Sequence, residues 1–223
     1  MVEIHQIYYN DETKRHLLPG LIPYYNPDCT LFFENSVIRD LIEKGTHVDK
    51  DYFGVVGPKL QGKMNRWSRG RNYEGLYKIS QFALESEADA ISFLRIQRPH
   101  DPIKFACDRH EKFGEIMSEL LKLIGFEVDS FVMRNSIYCN FFIATEKFWD
   151  HYTKDLLFPI MDIIEKGEEE VCKLICEDAR YGDLPEVMQK KYNLEKYPYH
   201  PFILERLPNI FLMKYRNYKL INW

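Results

Sequence analysis

Short apolar runs alternating with stretches of helical period constrain this chain most. The first run, "EIHQIYY", alternates its side chains and ends at the polar "NDETK", as a strand closing at Tyr8 or Tyr9 should. In "NSVIRDLIEKG", Val37, Ile38, Leu41 and Ile42 share one helical face, with Asn35 or Ser36 as N-cap and Gly45 as stop. "DYFGVVGPKL" reads as a strand closed by Gly57 and Pro58. In "YEGLYKISQFALESE", Leu76, Ile79, Phe82 and Ala83 follow helical spacing, and "ADAISFL" returns to a strand. A long helix is expected from Ile103 to about Leu123, then strands in "SFVM" and "SIYCNFFIA" around a turn at Arg134 and Asn135. Helix 146–166 should kink at Pro159, helix continues from Glu168 to Cys176, and "HPFILERLPNIFLMKY" is interrupted at Pro208. Pro and Gly in "LPGLIPYYNPDC" predict turns, and "TLFFE" predicts a short strand. This alternation argues an α/β fold with a mostly parallel or mixed sheet. Ligands of such sheets sit outside the carboxyl ends of the strands.

At 223 residues, with no repeat, low-complexity segment or Gly/Ser/Pro-rich linker, residues 1–223 are expected to form one domain. The net charge of −4 lacks the basic excess of a nucleic-acid binder, so no nucleic-acid partner is expected. One local exception is the Lys59 to Arg71 run, "KLQGKMNRWSRGR", which contains no acid. It reads as a solvated loop or as a loop that meets phosphates. The five cysteines are odd in number and scattered, with no Cys-x-x-Cys and no secretory leader. Free thiols in a reducing, cytoplasmic setting follow. No apolar run approaches the roughly 18 residues that span a bilayer.

Five segments occur in an order that resembles a known group: "IHQIYYNDETKRHLLPGLIPYYN", "DYFGVVGPKL", "ADAISF", "NSIYCNFFIATEKFWDHY" and "FILERL". Together, over roughly residues 4 to 207, they resemble the GT-A-like glycosyltransferases encoded with polysaccharide and surface-glycan genes. The resemblance implies a Rossmann-related, GT-A-like mixed central sheet flanked by helices. It also implies transfer of a hexosyl group from a nucleoside diphosphate sugar, a UDP-sugar foremost, to a glycan hydroxyl.

The same resemblance implies a site. The end of the first strand, Gln6, Ile7, Tyr8 and Tyr9, would meet the nucleotide base, with a tyrosine stacking on it. The Asp-x-Asp pair that holds Mn²⁺ or Mg²⁺ on the donor diphosphate in such enzymes corresponds here to Glu87-Ala88-Asp89. Asp89 would act there with Glu87 as companion, or the site would work without metal. His200 in "YPYHPF" is the candidate late metal ligand, and Lys59 after Pro58 would offer a point charge to phosphate. Glu205 in "FILERL" is the candidate base for the acceptor hydroxyl. Arg134, Asn135 and Ser136 could bond the acceptor sugar.

Each of these residues also has a plain structural reading. Tyr8 and Tyr9 could be ordinary strand residues, Glu87 a solvated helix end and His200 a turn histidine. Trp149 and Tyr152 fit a helical core face. Glu205 could anchor a salt bridge, although Arg206 next to it points elsewhere on a helix. The class-level alternative is a non-catalytic GT-A-like module that binds a nucleotide or a glycan. No phosphate-binding glycine loop and no nucleophile motif appears, which weakens kinase, dinucleotide and hydrolase readings.

Overall fold

Backbone pairing joins six strands: β1 (Val2–Tyr8), β2 (Ile22–Tyr25), β3 (Tyr52–Val56), β4 (Ala90–Ser92), β5 (Phe142–Ala144) and β6 (Leu220–Asn222). The computed structural model describes residues 1–67, 72–95 and 99–223. The strand order is β2-β1-β3-β5-β4-β6. β5 runs antiparallel to both neighbours, and every other pairing is parallel. The carboxyl ends of five strands and the amino end of β5 therefore share one edge.

Period-2 alternation sorts the strand side chains into two cores. Ile7, Phe53, Val55, Ala90, Phe142 and Ala144 face one cluster, while Val2, Ile4, Val56, Ile91 and Ile143 face the other. The first cluster is covered by α2 (Glu34–Glu43), α5 (Pro102–Cys107), α6 (Phe113–Leu123), α7 (Glu146–Tyr152), α8 (Phe158–Lys166), α9 (Glu170–Ile175) and α11 (His200–Lys214). The second is covered by α3 (Leu60–Trp67) and α4 (Leu76–Ser86). The short helices α1 (Asp11–Lys14) and α10 (Glu186–Tyr192) complete the chain. The result is a single-domain α/β fold with a six-stranded mixed central sheet flanked by helices. Gly54 lets β3 and β5 approach: a Cβ there would lie 2.6 Å from the Phe142 carbonyl oxygen.

Several expectations are corrected. Residues 22–25 form a strand despite Pro23, because β2 is an edge strand with a single partner and leaves a proline N unneeded. "TLFFE" is turn and helix start, not strand. The long helix from Ile103 divides between Cys107 and Phe113, where His110 turns in to bond the Ala179 carbonyl at 2.9 Å through Nδ1. Of the two strands expected around Arg134, only Phe142–Ala144 joins the sheet. Cys139 and Asn140 adopt φ of 57° and 53°, which no strand can hold. The basic run is helical as far as Trp67, and its remainder, 68–71, lies outside the described residues. A π-turn, Thr153–Leu157, links α7 to α8 just before Pro159. Among the described residues no helix is long and apolar enough to cross a membrane.

Candidate functional site

The shared carboxyl edge gathers charged side chains from three helices. Glu34 is the first residue of α2, where a carboxylate suits the helix N-terminus. Its Oε1 packs against Gly57, at the end of β3, so closely that a Cβ on residue 57 would lie 2.5 Å away. Lys63 of α3 donates from Nζ to Cys139 Sγ at 2.7 Å. The Cys139 backbone N–H donates to Glu205 Oε1 of α11 at 2.6 Å. Arg206 Nη1 lies 3.1 Å from the same oxygen, and the guanidinium sits 4.7 Å from the Tyr138 ring centroid. Glu205 is 19% exposed and Arg206 only 6%.

The two carboxylates are driven apart electrostatically. Burial pushes Glu34 up; its own backbone N–H opposes this, the Glu205 charge adds to it, and Lys63 and Lys59 pull against it, leaving it above the ordinary glutamate value. Burial also acts on Glu205, but Arg206, Lys63 and the Cys139 N–H prevail and hold it below the ordinary value. For Lys63, burial opposes the charge while Cys139 and Glu205 restore it, so the ammonium is strengthened. Burial, then Glu205, pushes the Cys139 thiol up to about 12. At neutral pH the Lys63–Cys139 contact is therefore ammonium to thiol. Burial, helped by the Glu34 charge, raises the pKa of Tyr9, Cys29 and Tyr197 and keeps all three protonated.

The residues singled out from sequence fall in different places. Gln6 is fully buried and spent on structure: its Oε1 accepts from Leu18 N at 2.7 Å and its Nε2 donates to the His16 carbonyl at 3.0 Å. Ile7 is core. Tyr8 stacks on Tyr25 with ring centroids 5.0 Å apart, an aromatic pair at the carboxyl edge. Lys59 is exposed beside Glu34. Asn135 is used to fasten β6, donating to the Leu220 carbonyl and accepting from Asn222. Trp149 and Tyr152 are core, with Trp149 Nε1 donating to the Phe53 carbonyl at 2.8 Å. Arg206, expected to point away from Glu205, is its ion-pair partner.

The proposed metal set is not assembled. β4 runs parallel to β3, so Asp89, which precedes it, lies at the amino edge, opposite the carboxyl edge. There its Oδ2 accepts from Lys219 N at 2.7 Å and its N–H donates to the Lys219 carbonyl. Glu87 is an exposed C-cap of α4 with φ of 51°. His200 begins α11, at the opposite end from Lys214, on the order of 20 Å away at a rise of about 1.5 Å per residue. It packs on Phe32 and lines a cavity of about 390 Å³ with Met161 and Ile164. Among the described residues no three His, Cys, Asp or Glu side chains are grouped to hold a metal ion.

Sequence reasoning passed over Glu34, Lys63 and Cys139. Glu34 carried one signal, an acid between Phe33 and a buried helix face; Lys63 lay hidden in a basic run. No protein-family model matches this chain, and neither a curated protein nor a solved structure matches it.

Proposed function

We propose that this chain is a GT-A-like glycosyltransferase that moves a hexosyl group from a nucleoside diphosphate sugar, a UDP-sugar foremost, to a glycan hydroxyl. One observation carries the reading: a carboxylate–lysine–arginine cluster sits at the carboxyl edge of a mixed α/β sheet, where such folds bind ligands. Lys59 and Lys63 supply positive charge for the departing diphosphate. In this reading they do the work of the divalent cation, since Asp89, Glu87 and His200 stand apart. The Tyr8–Tyr25 pair offers a face for the base.

A second reading is a non-catalytic nucleotide- or glycan-binding module. The ion-paired state of Glu205 favours it, because a carboxylate that already accepts from the Cys139 N–H and faces the Arg206 charge is a poor proton acceptor.

Thermal unfolding with UDP or GDP, with and without Mn²⁺, tests both. UDP should raise the midpoint at millimolar concentration, Mn²⁺ should add nothing, and Lys63→Ala should abolish the gain. Hydrolysis of UDP-glucose, UDP-galactose or UDP-N-acetylglucosamine without acceptor separates transferase from binding module. Absence of a shift with either nucleotide refutes the donor site.

A further inference from the structure

We infer that Glu34, not Glu205, takes the acceptor's proton, and that Glu205 is a fixed anion positioning Lys63 and the 138–140 turn; this rests on the transferase reading above. Two carboxylates in one site whose surroundings push them in opposite directions mark the division between proton carrier and permanent charge. Glu205 accepts from Cys139 N at 2.6 Å and faces Arg206 at 3.1 Å. Taking up a proton would weaken the Cys139 N–H bond and remove the charge that Arg206 faces. Glu34 is different: among the described residues no side chain donates a hydrogen bond to it. Its Oε1 reaches its position only because residue 57 is glycine.

The groups around Glu34 suit a base. Glu205, Lys63 and Lys59 act on it through their charges, and its own charge is felt by Tyr9, Cys29 and Tyr197. Burial and Glu205 raise its proton affinity above that of an ordinary glutamate, the direction a base needs, while the two lysines pull against that rise. In the transfer, the acceptor oxygen bonds to the anomeric carbon. The bond from that carbon to the diphosphate oxygen breaks, and its electron pair leaves with the nucleoside diphosphate toward Lys59 and Lys63. The hydroxyl proton passes to Glu34 and then to water.

The test compares Glu34→Gln, Glu34→Asp and Glu205→Gln in the full chain, using UDP for binding and the UDP-sugar that the wild type hydrolyses for turnover. Glu34→Gln should bind UDP like the wild type, lose roughly 10²–10⁴-fold in kcat, and lose the acid limb of the pH–rate profile. Glu34→Asp should keep that limb at a reduced rate. Glu205→Gln should keep the limb while lowering the unfolding midpoint. Carbon-13 NMR of the glutamate carboxyls reads the protonation directly: one resonance, missing in Glu34→Gln, should titrate above the ordinary glutamate range. An unchanged pH–rate limb in Glu34→Gln, or a Glu34 resonance titrating at or below that range, overturns the inference while UDP binding leaves the wider reading intact. Failure of the wild type to bind UDP removes both together.

Discussion

The Cys139 backbone N–H and the Glu205 carboxylate meet at 2.6 Å across 66 residues of sequence. That bond fastens a turn whose two central residues, Cys139 and Asn140, both hold left-handed backbone angles. Left-handed geometry costs a non-glycine residue roughly 1–2 kcal/mol, so the turn depends on what holds it. The same peptide carries the thiol that receives Lys63.

Removing the carboxylate should therefore be costly and pH-dependent. Glu205→Ala leaves Arg206 buried without its counter-charge, a change worth about 3–5 kcal/mol when a buried pair is broken from one side. The folded state holds Glu205 below the ordinary glutamate value. Its stabilisation is thus fully present above the unfolded value of about 4.3 and is lost as pH falls through the lower folded value. Urea unfolding across the acid range should show a steeper loss for the wild type than for Glu205→Gln. Parallel curves would contradict the assignment.

Gly57 and Gly62 should respond oppositely to alanine. At Gly57 the added Cβ meets Glu34 Oε1 at 2.5 Å, so Gly57→Ala should lose about 1–3 kcal/mol through overpacking or expel the Glu34 side chain. At Gly62, inside α3, nothing lies within 4 Å of the new Cβ, and Gly62→Ala should gain up to about 1 kcal/mol. Equilibrium unfolding of the two variants measures both signs.

Asp89 should prove structural. Asp89→Ala removes the acceptor of the Lys219 N–H, and one such bond contributes about 0.5–1.5 kcal/mol. UDP affinity should be unchanged, since the amino edge faces away from Lys63 and Glu34. A loss of UDP binding in a folded Asp89→Ala protein would return the donor to that edge.

His200 should make the protein acid-sensitive on its own account. Burial lowers its pKa to about 4, and Nδ1 has no hydrogen-bond partner among the described residues. Between the unfolded value of about 6.5 and about 4, the unfolded chain binds the proton and the folded chain does not. Stability therefore falls as pH drops through that window, by up to about 3 kcal/mol. His200→Phe should flatten the window, and proton NMR of the ring should show late titration in the wild type.

Strands buried on both faces are legible from sequence because their apolar residues must serve two cores. β1, β3 and β4 are of this kind. β2 leaves no such trace, since Ile22 and Tyr25 are 42% and 57% exposed and the strand is held by backbone pairing. β6 likewise depends on its pairing with β4. Within the site, Glu205 stands out as a carboxylate between Leu204 and Leu207. Lys63 and Cys139 do not, because 76 residues separate two side chains that matter only as a pair. Asp89 is misplaced by motif spacing because spacing does not reveal strand direction, and direction decides which edge a residue occupies.

The Thr153–Leu157 π-turn has a consequence for the helices on either side of it. Phe148, Tyr152, Leu156, Ile160 and Ile164 are all buried at intervals of four residues, as are Trp149, Thr153, Leu157 and Met161. On a helix of 3.6 residues per turn, a stripe of period four slips sideways by about 40° at each step. The wider π-turn takes up part of that slippage midway, so that one straight seam serves both helices. Deleting a single residue there should swing the apolar side of α8 off its seat without touching any side chain in the site.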